Sequence, residues 1–316
     1  MPKVSVIVPN YNHAPYLRQR LDSIFNQSFQ DFEVIILDDC STDNSKEIIE
    51  EYRNRPQVSH VVYNETNSGS PFKQWAKGFD LAQGEYIWIA ESDDWAEEIF
   101  LNELICALRK DTKAVIAFCQ TKYSSANSQR LAKFLSSSCS IDGKDFFNKH
   151  MLLYNSICNA SSAIFKKSIL CQISNFYQTF KGAGDYAFWI EVLHTGRVAY
   201  VHKPLNYFRQ HPHNTTTKNR TSGNESFELY KIFVHLCKKK LISPFMQMAI
   251  RLHYLSTIKE AYKYGDLQKK DYITLIDLWG KNCIFRLSLA IIVPCGKIVW
   301  GLKTRILHTP LKYWKK

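Results

Sequence analysis

A chain of 316 residues, 45% hydrophobic and 14% aromatic, has enough apolar surface for one large core or two modest ones, which excludes a disordered chain. Its nine cysteines are an odd number with no Cys-x-x-Cys pair. This excludes a disulfide scaffold and a cysteine-rich zinc site, and fits free thiols in a reducing compartment. The net charge is +12, but residues 1–222 hold 24 Lys or Arg against 23 Asp or Glu, whereas residues 223–316 hold 17 against 6, so an anionic partner is expected at the C-terminal third.

Met1-Pro2-Lys3-Val4 leads straight into a strand, and no leader peptide is expected before it. Residues 3–8 are short and β-branched, a buried strand that Pro9-Asn10-Tyr11-Asn12 ends. Pro15 suits a first helical turn, and Leu17, Leu21, Ile24 and Phe25 recur at helical spacing to Asn26. Residues 32–37 form a second strand that leaves through Asp38-Asp39-Cys40-Ser41-Thr42-Asp43. A helix follows from about Ser45, and residues 58–63 form a third strand. Asn67-Ser68-Gly69 is a turn, Ser70-Pro71 opens a helix to Ala82, and Gly84 supplies a left-handed stop. Residues 86–90 are a fourth buried strand, and they run abruptly into Glu91-Ser92-Asp93-Asp94-Trp95.

Helix 97–109 and strand 114–119 continue the alternation, while residues 124–138 are polar and read as a mobile loop. Residues 160–165 look like a strand. Gly182-Ala183-Gly184-Asp185 opens a helix through His194, in which Trp189 either lines a cleft or fills core. Residues 198–201 and 205–208 are short strands, and residues 212–226 are a polar linker. Helices 227–240, 244–264 and 269–280 follow. The predicted architecture is an α/β domain over residues 1–222, a parallel sheet covered by helices, and a basic helical region over residues 223–316.

In the tail, the uncharged run 287–296 is about half of the ~20 residues a spanning helix needs. With Trp300, Trp314, Lys297, Lys303, Arg305, Lys312, Lys315 and Lys316 around it, the segment suits the surface of an anionic membrane. Packing on the rest of the protein, or on a second copy in a homo-oligomer, is the alternative. No nucleic-acid reader motif is present, and nucleic acid is not an expected partner.

Two strands therefore leave the sheet through acids, at Asp38-Asp39 and at Glu91-Ser92-Asp93-Asp94. In open α/β sheets ligands bind at the carboxyl ends of the strands. Clustered carboxylates repel, so such a site calls for a cation or a protonated acid. A solvated loop is the ordinary alternative.

Four ordered segments resemble the inverting family-2 glycosyltransferases, which have a GT-A fold: residues 4–45 opening on VSVIVPNYNH, QWAKGFDLAQGEYIWIAESDDW, GAGDYAFWIEV and PLNYFRQH. The likeness covers about residues 3–211. It implies a Rossmann-type, mostly parallel sheet, with a helical C-terminal extension beyond it. It also implies transfer of a sugar from a nucleotide diphosphate donor, with inversion, to a hydroxyl of a glycan or lipid-linked acceptor in surface polysaccharide synthesis. The implied place is cytoplasmic, on the inner face of the cell membrane.

By that resemblance Pro9 and Tyr11 border the nucleotide, Tyr11 stacking on the base. Asp39 accepts from the imide N–H of uracil or thymine, which favours a UDP- or dTDP-sugar, and Asp38 is structural. Lys73 reaches base or phosphate, or is simply a solvated lysine. Glu91 stands where the family usually has Asp, a position that contacts ribose or a metal-bound water. Asp93 matches the metal-binding acid and His211 the histidine that completes the site, which suits Mn2+ or Mg2+, with the imidazole favouring Mn2+. Asp185 is the general base that takes the proton of the attacking hydroxyl, or else a plain helix cap. Many relatives carry Glu before that Asp, and this chain carries Gly184. The departures at Glu91 and Gly184 motivate one alternative, a non-catalytic nucleotide-sugar-binding or scaffold protein on the same fold.

Overall fold

A computed structural model describes residues 1–125, 128–132, 135–211 and 224–280. The chain separates into two compact units, Met1–Asn214 and Thr215–Lys316.

The first unit is built on a ten-stranded mixed sheet. Its strands are β1 (Val4–Asn10), β2 (Phe32–Asp38), β3 (Val58–Tyr63), β4 (Tyr86–Ile89), β5 (Trp95–Ala96), β6 (Ala114–Ser125), β7 (Ser128–Leu131), β8 (Cys139–Asp142), β9 (Ala163–Lys166) and β10 (Arg197–Arg209). The order is β3-β2-β1-β4-β9-β6-β10-β5, with β7 beside β6 and β8 beside β10. Strands β3, β2, β1 and β4 run parallel, and β9 turns the direction because it pairs antiparallel with both β4 and β6. The helices are α1 (Ala14–Phe25), α2 (Ser45–Tyr52), α3 (Pro71–Leu81), α4 (Phe100–Lys110), the single turn α5 (Gly143–Phe146) and α6 (Gly184–Leu193).

Strands β1 and β2 are buried along their whole length, as strands covered on both faces must be. On one face, Val6, Val8, Val34, Ile36 and Trp88 meet Leu17, Leu21 and Ile24 of α1 and Phe100 and Leu104 of α4. On the other face, α3 comes so close that a Cβ at Gly78 would lie 2.4 Å from Ile7 Cγ2. Phe79, Phe165, Tyr177, Phe188 and Trp189 continue that layer as an aromatic cluster. Trp189 is fully buried there, so of its two readings the structure selects core.

The register sets the site. Asn10 pairs with Asp38 and Ile7 with Ile89, so β1, β2 and β4 end at one edge. The residues that follow them, Tyr11, Asp39 and Glu91 to Asp94, leave the sheet side by side.

Four expectations change. Gly84 does not have a positive φ, unlike Gly69 and Gly265. It is required because a Cβ there would lie 2.6 Å from the Ser5 amide nitrogen, a close-approach role rather than a helix stop. Residues 124–138 are not simply a loop, since the end of β6 pairs with β7 from Lys122↔Leu131 to Ser125↔Ser128. That hairpin is polar because it lies at an exposed margin, which hides it from a hydrophobicity reading. The two short strands expected at 198–201 and 205–208 are one strand, β10, whose register shifts on both sides of Pro204. A proline cannot donate to the ladder, so the strand looks broken. Helix α4 begins three residues later than expected, after Trp95-Ala96 pairs with β10.

In the second unit, α7 (Asn224–Lys238), α8 (Pro244–Lys263) and α9 (Lys269–Gly280) pack around Trp279, which is fully buried. Its ring lies 5.1, 5.2 and 4.6 Å from those of Tyr230, Phe233 and Tyr254, and Arg251 donates to its carbonyl at 2.7 Å. Ser243 caps α8 by accepting from the Met246 amide. Among the described residues no helix is long and apolar enough to cross a membrane. Linker positions 212–223 and the expected membrane-facing tail lie outside the described residues.

Candidate active site

The site begins with three carboxylates at the end of β4. Each has a different environment. The Glu91 carboxylate accepts from Trp75 Nε1 of α3 at 2.8 Å, while its amide donates to Ser161 Oγ at 3.1 Å. Burial and repulsion from Asp93 push its pKa up to about 8. Asp94 accepts from Asn159 Nδ2 at 2.5 Å, Ser161 Oγ at 2.7 Å and the Arg209 amide at 3.0 Å. It is a buried anchor between β9, β10 and the acid turn, and burial followed by repulsion from Asp93 pushes it up as well. Burial also opposes ionisation of Asp93, but the hydrogen bond from His211 and the nearby His13 outweigh it and hold its pKa down. His211 Nε2 is 3.1 Å from Asp93 Oδ2.

The countercharges come from far along the chain. Arg20 is fully buried, donates from Nε to the Glu91 carbonyl at 2.9 Å and lies 5.2 Å from the Trp88 ring centre. Burial lowers its pKa to about 10 against the pull of Asp94, Asp93 and Glu91. Both of its terminal nitrogens lack hydrogen-bond partners among the described residues, so it acts on the acids through its field. Arg209 donates to the Asp93 carbonyl at 2.7 Å and lies between the rings of Tyr16 and Trp95, at 4.7 and 4.5 Å.

The second acidic strand exit is formed by the turn after β2. Asp39 Oδ1 accepts from Asn64 Nδ2 at 2.6 Å, the Ser68 amide at 2.9 Å and Gln74 Nε2 at 2.8 Å, and Oδ2 accepts from Ser68 Oγ at 2.7 Å. A carboxylate has about four acceptor sites, so Oδ2 retains capacity for one further donor. Asp38 is bound by Asn10 Nδ2, Ser41 Oγ and the Ser41 amide, a purely internal arrangement. Tyr11 is 46% exposed, outside the core and at the strand exit, whereas Pro9 is buried within β1 opposite Leu37. Lys73 Nζ donates to the Ser68 carbonyl at 2.9 Å, which ties it to the turn that holds Asp39.

Asp185 lies in the first turn of α6 and accepts from Asn155 Nδ2 at 2.9 Å. Asn159 and Ser161, just beyond Asn155, hold Asp94. One short segment thus supports both Asp185 and the acid cluster.

The structure brings Asp93 together with His211, and Glu91 with Trp75. His13, Arg20, Asn155, Asn159, Ser161 and Arg209 were not foreseen. Only Arg20 had a visible signal, because it falls at helical spacing with Leu17, Leu21 and Ile24 on the apolar side of α1.

The donor set fits a divalent cation. One nitrogen each from His13 and His211 and one Asp93 oxygen all lie within 4.8 Å of one another. The His211 side chain is only 6% exposed, and its Nδ1 has no partner among the described residues. Two neighbouring acids are pushed up, and a cation would relieve that repulsion.

Several known proteins are similar to this chain. TuaG of Bacillus subtilis, whose name assigns it provisionally to teichuronic acid biosynthesis, is 28% identical over 252 residues, covering 78% of this chain and 95% of TuaG. The GalNAc(5)-diNAcBac-PP-undecaprenol beta-1,3-glucosyltransferase of Campylobacter jejuni is 26% identical over 299 residues, covering 93% and 91%. Among solved structures, residues 1–349 of TarS from S. aureus in complex with UDP superpose with a TM-score of 0.65 at 18% identity, covering 96% of this chain and 88% of that one. The mannosyltransferase PcManGT of Pyrobaculum calidifontis in complex with GDP-Man and Mn2+ gives a TM-score of 0.56 at 18% identity, covering 97% and 85%. These likenesses establish the GT-A type of fold. The profile of glycosyl transferase family 2 matches residues 5–171, the stretch from β1 through the acid cluster to β9, and with more than half of its length matched the chain belongs to that family.

Proposed function

We propose that the chain transfers a sugar, with inversion, from a UDP- or dTDP-sugar to a hydroxyl of a glycan or lipid-linked glycan in surface polysaccharide synthesis. The observation that carries this reading is the segment from Asn155 to Ser161, which bonds Asp185 on one side and Asp94 on the other. On this reading the base and the acid cluster that faces the diphosphate share one frame.

Asp185 takes the proton of the acceptor hydroxyl as its oxygen attacks the anomeric carbon and the bond to the diphosphate breaks. Its place in the first turn of α6 favours the ionised carboxylate, and Asn155 fixes its orientation. The open acceptor site on Asp39 Oδ2 takes the imide N–H of uracil or thymine, and Tyr11 offers a face to the base. Asp93 and His211 would hold Mn2+ or Mg2+, which when bound neutralises charge on the leaving diphosphate. Arg209 and Arg20 keep the acid turn in place. The UDP and UDP-GlcNAc complexes of TarS and the Mn2+ complex of PcManGT support a nucleotide-sugar donor and a divalent cation.

An undecaprenol-linked substrate in the name of the Campylobacter relative supports a lipid-linked acceptor. With the basic, Trp-bearing residues 281–316, it supports work on the cytoplasmic face of the cell membrane as a peripheral protein.

The test is Asp185→Asn. Transfer from a UDP-sugar is expected to fall at least ~100-fold, in line with the loss of a general base, with UDP affinity within twofold of wild type by calorimetry. Wild-type turnover by this variant would remove Asp185 as the base.

A further inference from the structure

We propose that His13, with Asp93 and His211, completes a two-imidazole, one-carboxylate site that binds Mn2+, Co2+ or Zn2+ without nucleotide and discriminates against Mg2+. This rests on the cation site of the proposed function and extends it to a third protein ligand and to metal selectivity.

His13 immediately precedes α1, while Asp93 follows β4 and His211 follows β10. Three separate elements therefore deliver donors to one point, all within 4.8 Å of one another. The separation of 3.1 Å between His211 Nε2 and Asp93 Oδ2 matches the about 3.0 Å between adjacent ligands of a six-coordinate ion with bonds of about 2.1 Å. His13 Nδ1 is 2.8 Å from Ser92 Oγ. When Nδ1–H donates to that hydroxyl, the tautomer is fixed and Nε2 presents its lone pair, which is how metal-binding imidazoles are usually oriented. The rings of His13 and His211 are nearly perpendicular, at 87° and 5.7 Å between centres. Tyr16 and the guanidinium of Arg209 wall the same point, with Tyr16 4.8 Å from the His211 ring.

The chemistry of the donors sets the selectivity. Mg2+ prefers oxygen ligands and keeps its waters. Two imidazoles favour later first-row ions, in the order Mn2+ below Co2+, with Zn2+ also bound tightly. A site whose cation came only with the nucleotide would need no second imidazole.

The experiment is Mn2+ binding to the whole chain without nucleotide, followed by calorimetry and by electron spin echo modulation from nitrogen-14. Wild type is expected to bind one Mn2+ with two imidazole nitrogens coupled to it. His13→Ala is expected to lose one of those couplings and to bind at least ~10-fold more weakly. Mg2+ is expected to displace bound Mn2+ only in roughly 100-fold excess, a preference set by the nitrogen donors. Ser92→Ala leaves both imidazoles present. It is expected to bind Mn2+ ~10-fold more weakly with both couplings retained, as for loss of a group that orients a ligand. Unchanged affinity in both variants, or displacement by equimolar Mg2+, overturns the proposal. If His13→Ala is unchanged while Asp93→Ala loses Mn2+, only the His13 assignment falls. If wild type binds no Mn2+ with or without UDP, the cation site of the proposed function falls too.

Discussion

Gly184 shows how one missing side chain positions another. The resemblance leads to an acid before the base, yet a Cβ at 184 would lie 2.5 Å from Phe72 Cδ2 and 2.6 Å from the Tyr177 carbonyl. Phe72 is buried and stacks edge-on with Trp75 at 4.9 Å, and Trp75 donates to Glu91. The start of α6 therefore rests directly on the aromatic column beneath the acid cluster. Gly184→Ala is expected to push that start outward, moving Asp185 away from Asn155. The expected cost is about 1–3 kcal/mol of stability from overpacking. With Asp185 as the proposed base, a fall of ~10–100-fold in kcat with little change in donor KM is also expected, since small displacements of such a group are costly. Steady-state kinetics with a UDP-sugar would decide it, and an unchanged kcat would show that α6 tolerates the shift.

At the scale of elements, the parallel strands are joined at the end opposite the site by a buried carboxylate. Glu33 of β2 accepts from Ser5 Oγ of β1 at 2.6 Å and from the Gln83 amide at 2.7 Å, while Ser5 Oγ accepts from the Gly84 amide at 2.8 Å. Burial works against ionisation of Glu33, but the Ser5 and Ser59 hydroxyls and the Gln83 amide outweigh it and hold its pKa below the ordinary value. A depressed carboxylate pKa contributes stability that is fully present above the unfolded value, about 4.3. That contribution is lost as pH falls through the lower folded value. Glu33→Gln is expected to cost about 1.5–3 kcal/mol at pH 7, the range for hydrogen bonds to a charged group. In urea unfolding its deficit is expected to shrink below about pH 4, whereas an equal deficit at pH 7 and pH 3 would mean the charge is irrelevant. The central strands and helices of this half were legible because their apolar periodicity is strong. The β6–β7 hairpin and the continuous β10 were not, because polar margins and Pro204 weaken that signal.

Across the whole molecule, what could be read in the sequence was the set of strand exits, since Asp39 and Asp93 each sit in a contiguous acidic string. What could not be read was the set of groups that make those acids usable. Arg20, Asn159, Arg209 and His13 reach the cluster from 65 to 116 positions away along the chain, and only the sheet register decides which of them meet. The charge asymmetry is a sequence property of the same scale. Residues 281–316 carry eight Lys or Arg and no Asp or Glu, with Trp300 and Trp314 among them. On the proposed peripheral attachment, such a segment would gain about 1 kcal/mol per basic residue near an anionic surface, plus insertion of its apolar side chains. The chain is therefore expected to float with vesicles containing phosphatidylglycerol at ~0.1 M salt and to release in part at 1 M, where the Debye length falls to about 3 Å. Reversing Lys297, Lys303, Arg305 and Lys312 to Glu is expected to abolish flotation without altering hydrolysis of a UDP-sugar, because none of the four is among the proposed site residues. Flotation that survives the reversal would move the membrane contact elsewhere, and flotation with neutral vesicles as readily as anionic ones would make it a matter of apolar insertion rather than charge.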